Sequence, residues 1–347
     1  MWMTGLSAVS ALCVAFADFL GTTLALSPAA RTATACAIEV VLFAFNYSGV
    51  REGRWAAQVT SALKALALLG FVVMAALFAP HDPGTTLSHA PLAAAAPLGF
   101  AGIIAAYQLI DGAYAGWDMP TFFTGENENP SRSIPRAMFG GLAVTATLYI
   151  AVMGVLLATL GSRGLAATPL PFSLLAARVI GPAAGTAVAA VAMMIVLSCA
   201  HANMIAAPRV LYALSEDGLL PPGMGRVNRG GTPTVALAMT AAATLALTMT
   251  GSFDLAFDLI ATLNAANGIF VYAAFFWLRR REPDLPRPYR AFGYPWLQIL
   301  PILLAVCTFT LYMRANPTGA LYAAALWTLC VPLVIVARRR MGAHVPD

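Results

Sequence analysis

The feature that most constrains this chain is a series of apolar runs, each about as long as a bilayer is thick. A helix needs roughly 20 predominantly apolar residues to cross the hydrocarbon core. Runs of that kind lie at about 3–26, 30–50, 55–79, 97–124, 135–160, 182–213, 232–250, 254–278, 295–313 and 318–337. Ten of them in 347 residues leave connectors and no soluble domain. Composition agrees, because 60% of residues are hydrophobic and 10% charged, where a soluble domain carries about 25% charged residues. So few charges cannot solvate a globule of this size, and so much apolar content excludes disorder. Cys13, Cys36, Cys199, Cys307 and Cys330 all fall in apolar stretches, which argues for buried thiols and against a disulfide framework. The reading is an all-α integral membrane protein, one polytopic domain over 1–347.

The basic residues orient the spans. With a cytoplasmic N-terminus, only Arg31, Arg163, Arg178 and Arg314 fall in outer loops, and the other fifteen arginines fall in inner ones. That is the positive-inside pattern, and a miscounted span would scramble it. It predicts a multi-pass protein of the cytoplasmic membrane with both termini inside. Trp2, Trp55, Trp277 and Trp296 then form an aromatic belt at the inner interface. Residues 1–30 read as a span, since they lack a basic leading segment and carry Asp18 within the apolar run. Two outer loops, 80–96 and 161–181, exceed a turn, and Pro171 to Arg178 is read as an interfacial connector, with a short helix over the outer vestibule as the alternative.

Ionisable groups at bilayer depth are expensive, so each is a functional candidate. They are Asp18, Glu39, Lys64, Asp111, Asp118 and His201. Asp254 and Asp258 follow Gly251-Ser252-Phe253 and read as carboxylates at a helix start, favoured by the dipole and by free N–H groups. The fourth run is the informative one. Asp111-Gly112-Ala113-Tyr114-Ala115-Gly116-Trp117-Asp118-Met119-Pro120 puts two glycines, two aspartates and a proline within ten residues. A continuous helix does not favour that composition, whereas transporters break helices there to expose backbone groups to a substrate; the alternative is a Gly-rich helix packing closely against a neighbour. Lys64 reads either as a snorkelling lysine or as a buried ammonium and proton site. His201 and Asn203 in the sixth run, with Asn264 and Asn267 in the eighth, read first as interhelical hydrogen-bond partners.

These residues resemble the amino acid/polyamine/organocation (APC) permeases. The break and its sequel, Gly125-Glu126-Asn127-Glu128-Asn129-Pro130-Ser131-Arg132-Ser133-Ile134-Pro135-Arg136-Ala137, are similar to that family's sixth helix and following loop. Asn46 to Arg51 with Lys64 is similar to its fourth-to-fifth helix region. Arg209 to Pro221 resembles the loop after its eighth helix, and Arg279 to Tyr294 the loop after its tenth.

The resemblance implies a LeuT-type five-plus-five inverted-repeat fold, with about ten helices here matching the family's third to twelfth. Residues 1–79 would be the remainder of the first repeat, 97–278 the second, and 295–337 two extra helices. The first repeat's broken helix would then be missing, as in a truncated product or one with a misassigned start. The implied substrate-binding residues are Asp111, Gly112, Tyr114, Ala115, Gly116, Trp117 and Asp118, with backbone at 114–116 facing an amino group and Trp117 beside the site or gate. Lys64 would stand where some members replace a sodium ion, with His201 and Asn203 as further coupling candidates. Gly112 departs from the family, many members of which carry an aromatic gate there.

The resulting expectation is a secondary transporter moving an amino acid or related amine by alternating access, coupled to protons or exchange, with Lys64 and Asp111 as titrating groups. Its partners are a small-molecule substrate, the bilayer and protons. No catalytic set, metal, cofactor or nucleic-acid partner is expected, so it is not read as an enzyme. The alternative is a non-transporting remnant or a membrane interaction partner.

Overall fold

The computed structural model describes residues 1–48, 54–78, 99–118, 120–121, 128–168, 170–287 and 291–315, with isolated positions beyond. The described residues form ten α-helices. They are α1 (Trp2–Leu24), α2 (Pro28–Tyr47), α3 (Arg54–Phe78), α4 (Phe100–Ala113), α5 (Pro130–Ala166), α6 (Pro171–Val179), α7 (Pro182–Glu216), α8 (Thr234–Thr248), α9 (Phe253–Arg281) and α10 (Trp296–Ala315). The first nine apolar runs each carry a helix. Gly49 to Arg51, Gly125 to Asn127, Pro288 to Arg290 and most of the tenth run lie outside the described residues.

Five helices are long and apolar enough to cross a membrane, namely α1, α2, α5, α7 and α9, and shorter apolar helices cover 62–78, 234–248 and 296–311. This is an all-helical, multi-pass membrane protein. Several boundaries differ from the sequence reading. The fifth run begins earlier, because Pro130 suits the first helical turn, where its missing N–H is no loss. It is interrupted at Gly161, whose φ of 65° and ψ of 169° are not helical. The connector at 171–178 is the helix α6, which buries Leu175 and Ala176.

The chain divides into two compact units. The first comprises Met1–Val50, Gly99–Ile134 and Cys199–Asp347. Within it α1 packs on α2, α8 and α9, α2 on α8, and α9 on α10, with α4 resting on α9 and α10. The second comprises Arg51–Leu98 and Pro135–Ser198. Its core is Phe71, Ala75, Val152, Leu156, Leu160 and Leu175, with Phe172 of α6 against Phe71 at 4.9 Å between ring centroids.

Burial runs opposite to that of a soluble protein. On α3, Leu63, Leu66, Leu69, Val73 and Leu77 are exposed, as side chains facing lipid must be. Inside the first unit, by contrast, Ser7, Ser10, Glu39, Thr240, Thr244, Thr248 and Thr262 are buried. Small residues let helices approach closely, and their hydroxyls bond backbone where no water reaches. Thr240 and Thr244 donate to the carbonyls of Ala236 and Thr240 at 2.8 Å each, four residues back on their own helix. Gly5 makes the same economy on α1, since a Cβ there would stand 2.9 Å from the Cβ of Ala207.

Candidate functional site

The break expected from the fourth run is present. Helix α4 stops at Ala113, and its last turn tightens. The Tyr114 N–H bonds the carbonyls of Ile110 at 3.2 Å and Asp111 at 3.1 Å, and the Ala115 N–H bonds that of Gly112 at 3.2 Å. Such three-residue bonds wind too tightly to continue an α-helix. The chain then turns through Gly116, whose φ of 97° is open to glycine and disfavoured for other residues. Beyond the turn the Thr121 N–H and hydroxyl both bond the Asp118 carbonyl, at 2.9 and 2.7 Å. Asp111, Ala115, Gly116 and Trp117 are exposed, and Gly112, Tyr114 and Asp118 are half-buried. Gly112 lies against α9, where a Cβ would come 3.1 Å from Phe257 Cζ.

The remaining candidates are distributed over both units. Lys64 lies in the second, half-buried on α3, and its ammonium donates to the Ser198 hydroxyl on α7. His201 lies in the first. Its Nδ1 is 3.2 Å from Asn46 Nδ2, which also donates to the Leu42 carbonyl, and its ring meets the edge of Phe45. This pair ties α7 to α2, the interhelical role read from the sequence. Asn203 spends its amide on the Cys199 carbonyl of its own helix at 3.0 Å.

Three findings refine the sequence reading. At the start of α9 the cap is Ser252, whose hydroxyl accepts the Leu255 N–H at 3.1 Å, while Asp254 stands in the first turn. Trp2 turns its indole N–H onto the Thr240 hydroxyl at 2.9 Å, so it also joins α1 to α8. Glu39, flagged only as costly, is 1% exposed, and one of its oxygens accepts from Thr248 at 2.8 Å. The Thr248 oxygen is also 3.0 Å from that of Ser10. Sequence did carry a hint of this cluster, since Thr240, Thr244 and Thr248 recur every four residues and share a helix face. Ser198 and Phe257 gave no such signal. No group of three metal-ligating side chains comes together among the described residues.

An interrupted apolar helix followed by a Pro-capped span is the arrangement the downstream motif suggested, and comparison with known proteins decides the family. The amino acid permease family model matches residues 1–337. The chain belongs to the amino acid permease family. It lies within the APC superfamily, whose members are permeases and not enzymes. Similar curated proteins include the branched-chain amino acid permease BcaP of Bacillus subtilis, 26% identical over 75% of this chain and 54% of that protein. The BcaP of Lactococcus lactis is 27% identical over 82% of this chain and 60% of that protein. The serine/threonine exchanger SteT of Bacillus subtilis is 26% identical over 55% of this chain and 44% of that protein. The chain thus spans about half the length of the curated relatives it matches.

Proposed function

We propose that this permease-family chain moves an amino acid or a related amine across the cytoplasmic membrane by alternating access. The carrying observation is the arrest of α4 at Ala113 and the open turn through Gly116. Backbone that leaves the helix inside an apolar span is tolerable only where protein or a water-filled cavity surrounds it. The end of a half-helix presents carbonyls and the negative end of its dipole, which suits an ammonium group. In this reading Tyr114, Ala115 and Gly116 receive the substrate's amine. Asp111 and Asp118 add negative charge, Gly112 lets Phe257 of α9 close against the site, and Trp117 bounds it.

Lys64 is the coupling residue of the proposal, because a charged side chain is costly inside a span and its ammonium is held there by the Ser198 hydroxyl. His201 and Asn203 are secondary coupling candidates. Residues 1–79 supply the remainder of a first repeat, 97–278 an inverted second repeat and 295–337 two further helices. Both termini lie on the cytoplasmic side, as the arginine asymmetry suggests.

The test is uptake of radiolabelled amino acids by proteoliposomes holding the chain, with and without an imposed pH gradient. Accumulation that rises with an inward proton gradient and is lost in Lys64→Gln supports proton coupling. Gradient-independent uptake driven by internal amino acid supports exchange. Absence of both, with the protein folded, overturns the carrier reading and leaves the non-transporting alternative.

A further inference from the structure

Away from the α4 break, the first unit carries a polar cavity of ≈ 350 Å³ where the α1–α2 and α8–α9 turns meet. Its floor rests on the buried Val14, Ala17 and Ala35, the exposed Pro28 and Ala29 give its apolar side, Thr32 and Gly251 one rim, and Asp18 with Arg31 the charged side. Arg31 Nη1 stands 3.6 Å from Asp18 Oδ1, with the two side chains 35% and 45% exposed. A pair that long and that wet is weakly held, so either charge can take a new partner at little cost.

The cavity is built by local constraints. The Arg31 Nε donates to the Leu26 carbonyl at 3.2 Å, which anchors one edge of the guanidinium, while Nη1 faces Asp18 at the cavity. Gly21 makes room for the arginine stem, since a Cβ there would come 2.8 Å from Arg31 Cδ. Gly251, at φ +66°, lets the α8–α9 turn close on α2, because a Cβ would meet Thr32 Oγ1 at 2.6 Å. One carboxylate and one guanidinium are thereby presented side by side, next to the exposed Pro28 and Ala29.

We propose that this cavity is a second binding site for an α-amino acid zwitterion, distinct from the α4 break. The Arg31 guanidinium takes the carboxylate, the Asp18 carboxylate takes the ammonium, and the exposed Pro28 and Ala29 take an apolar side chain. The Arg31–Asp18 spacing is of the same scale as the spacing of the two charges on such a ligand. The volume accommodates one small molecule. In the orientation proposed above the cavity opens on the outer side, where it would concentrate substrate ahead of the carrier site. The ligand class rests on the amino acid reading of the previous subsection.

Ala29 is exposed and lines the cavity, so an Ala29→Cys variant reports on occupancy directly. The labelling rate by a membrane-impermeant maleimide is measured for the full chain in detergent lacking amine lipids, against the native chain as background, with L-leucine as ligand. Leucine is expected to slow labelling. Leucine's amine-free and carboxyl-free analogues should each need about ten times the concentration or more. Arg31→Gln and Asp18→Asn should each abolish the protection, and Arg31→Lys should retain part of it, which separates loss of the site from loss of the fold.

Absence of leucine protection overturns the proposal. So does protection that survives both neutralising substitutions, or protection given only by a phosphatidylethanolamine headgroup. Uptake by proteoliposomes is a separate readout, so protection without uptake would count against the carrier reading alone.

Discussion

Truncating Glu39 to alanine should destabilise the protein, and replacing it with methionine should not. The Glu39 side chain is 1% exposed within α1, α2 and α8 and accepts a hydrogen bond from Thr248 at 2.8 Å, while its Oε1 has no hydrogen-bond partner among the described residues. Alanine removes the packed stem and leaves a void. Large-to-small changes in packed interiors cost about 2–5 kcal/mol. The lower half of that range applies here, because lipid-embedded helices keep the lost dispersion contacts but less of the water-transfer contribution. The lost hydrogen bond adds about 1 kcal/mol.

Methionine has nearly the same length and volume. Thr248 keeps Ser10, 3.0 Å away, as its hydroxyl partner. Exchanging a singly bonded buried carboxyl for an apolar group of the same shape should then be close to neutral or stabilising. Thermal unfolding in detergent, followed by tryptophan fluorescence, should place Glu39→Ala about 5 °C or more below the native protein, with Glu39→Met at or above it. If methionine is as damaging as alanine, the carboxyl itself is required and the packing account fails.

Three further outcomes follow from close contacts. Gly251→Ala should cost about 1–2 kcal/mol for its left-handed φ of 66° on top of the clash with Thr32; adding Thr32→Ala should recover only the clash, as a double-mutant cycle in thermal unfolding would show. Gly5→Leu forces α1 from α7 at Ala207 and should cost about 1–3 kcal/mol, read as a lowered unfolding midpoint, whereas Gly5→Leu without any shift would deny the close approach. Arg279 sits over the rings of Phe275 at 4.7 Å and Tyr294 at 4.2 Å, so Arg279→Lys should loosen the loop between α9 and α10 by about 0.5–1 kcal/mol and speed its proteolysis.

The apolar runs and the break in the fourth were legible because their causes are local. Run length is set by bilayer thickness, and Gly112, Gly116 and Pro120 disfavour a continuous helix wherever they are placed. The family was legible too, since its motifs lie on loops whose residues are adjacent in the chain. By itself, then, the sequence determined a multi-pass helical protein, the place where its fourth run leaves the helix and the family to which it belongs.

What it could not determine was which face of each helix looks inward. In a soluble protein the polar face marks the outside, but lipid and protein interior are both apolar, so a membrane helix carries little periodic signal. Only the tertiary structure paired Glu39 with Thr248, 209 residues away, and Lys64 with Ser198, 134 residues away. It likewise decided that α6 packs into the core of its unit and that Trp2 faces Thr240. The Asp18–Arg31 cavity has the same origin. Asp18 reads alone as a costly charge within a span and Arg31 as an outer-loop arginine, and a site exists only because two turns, held close by Gly21 and Gly251, bring both charges to one rim.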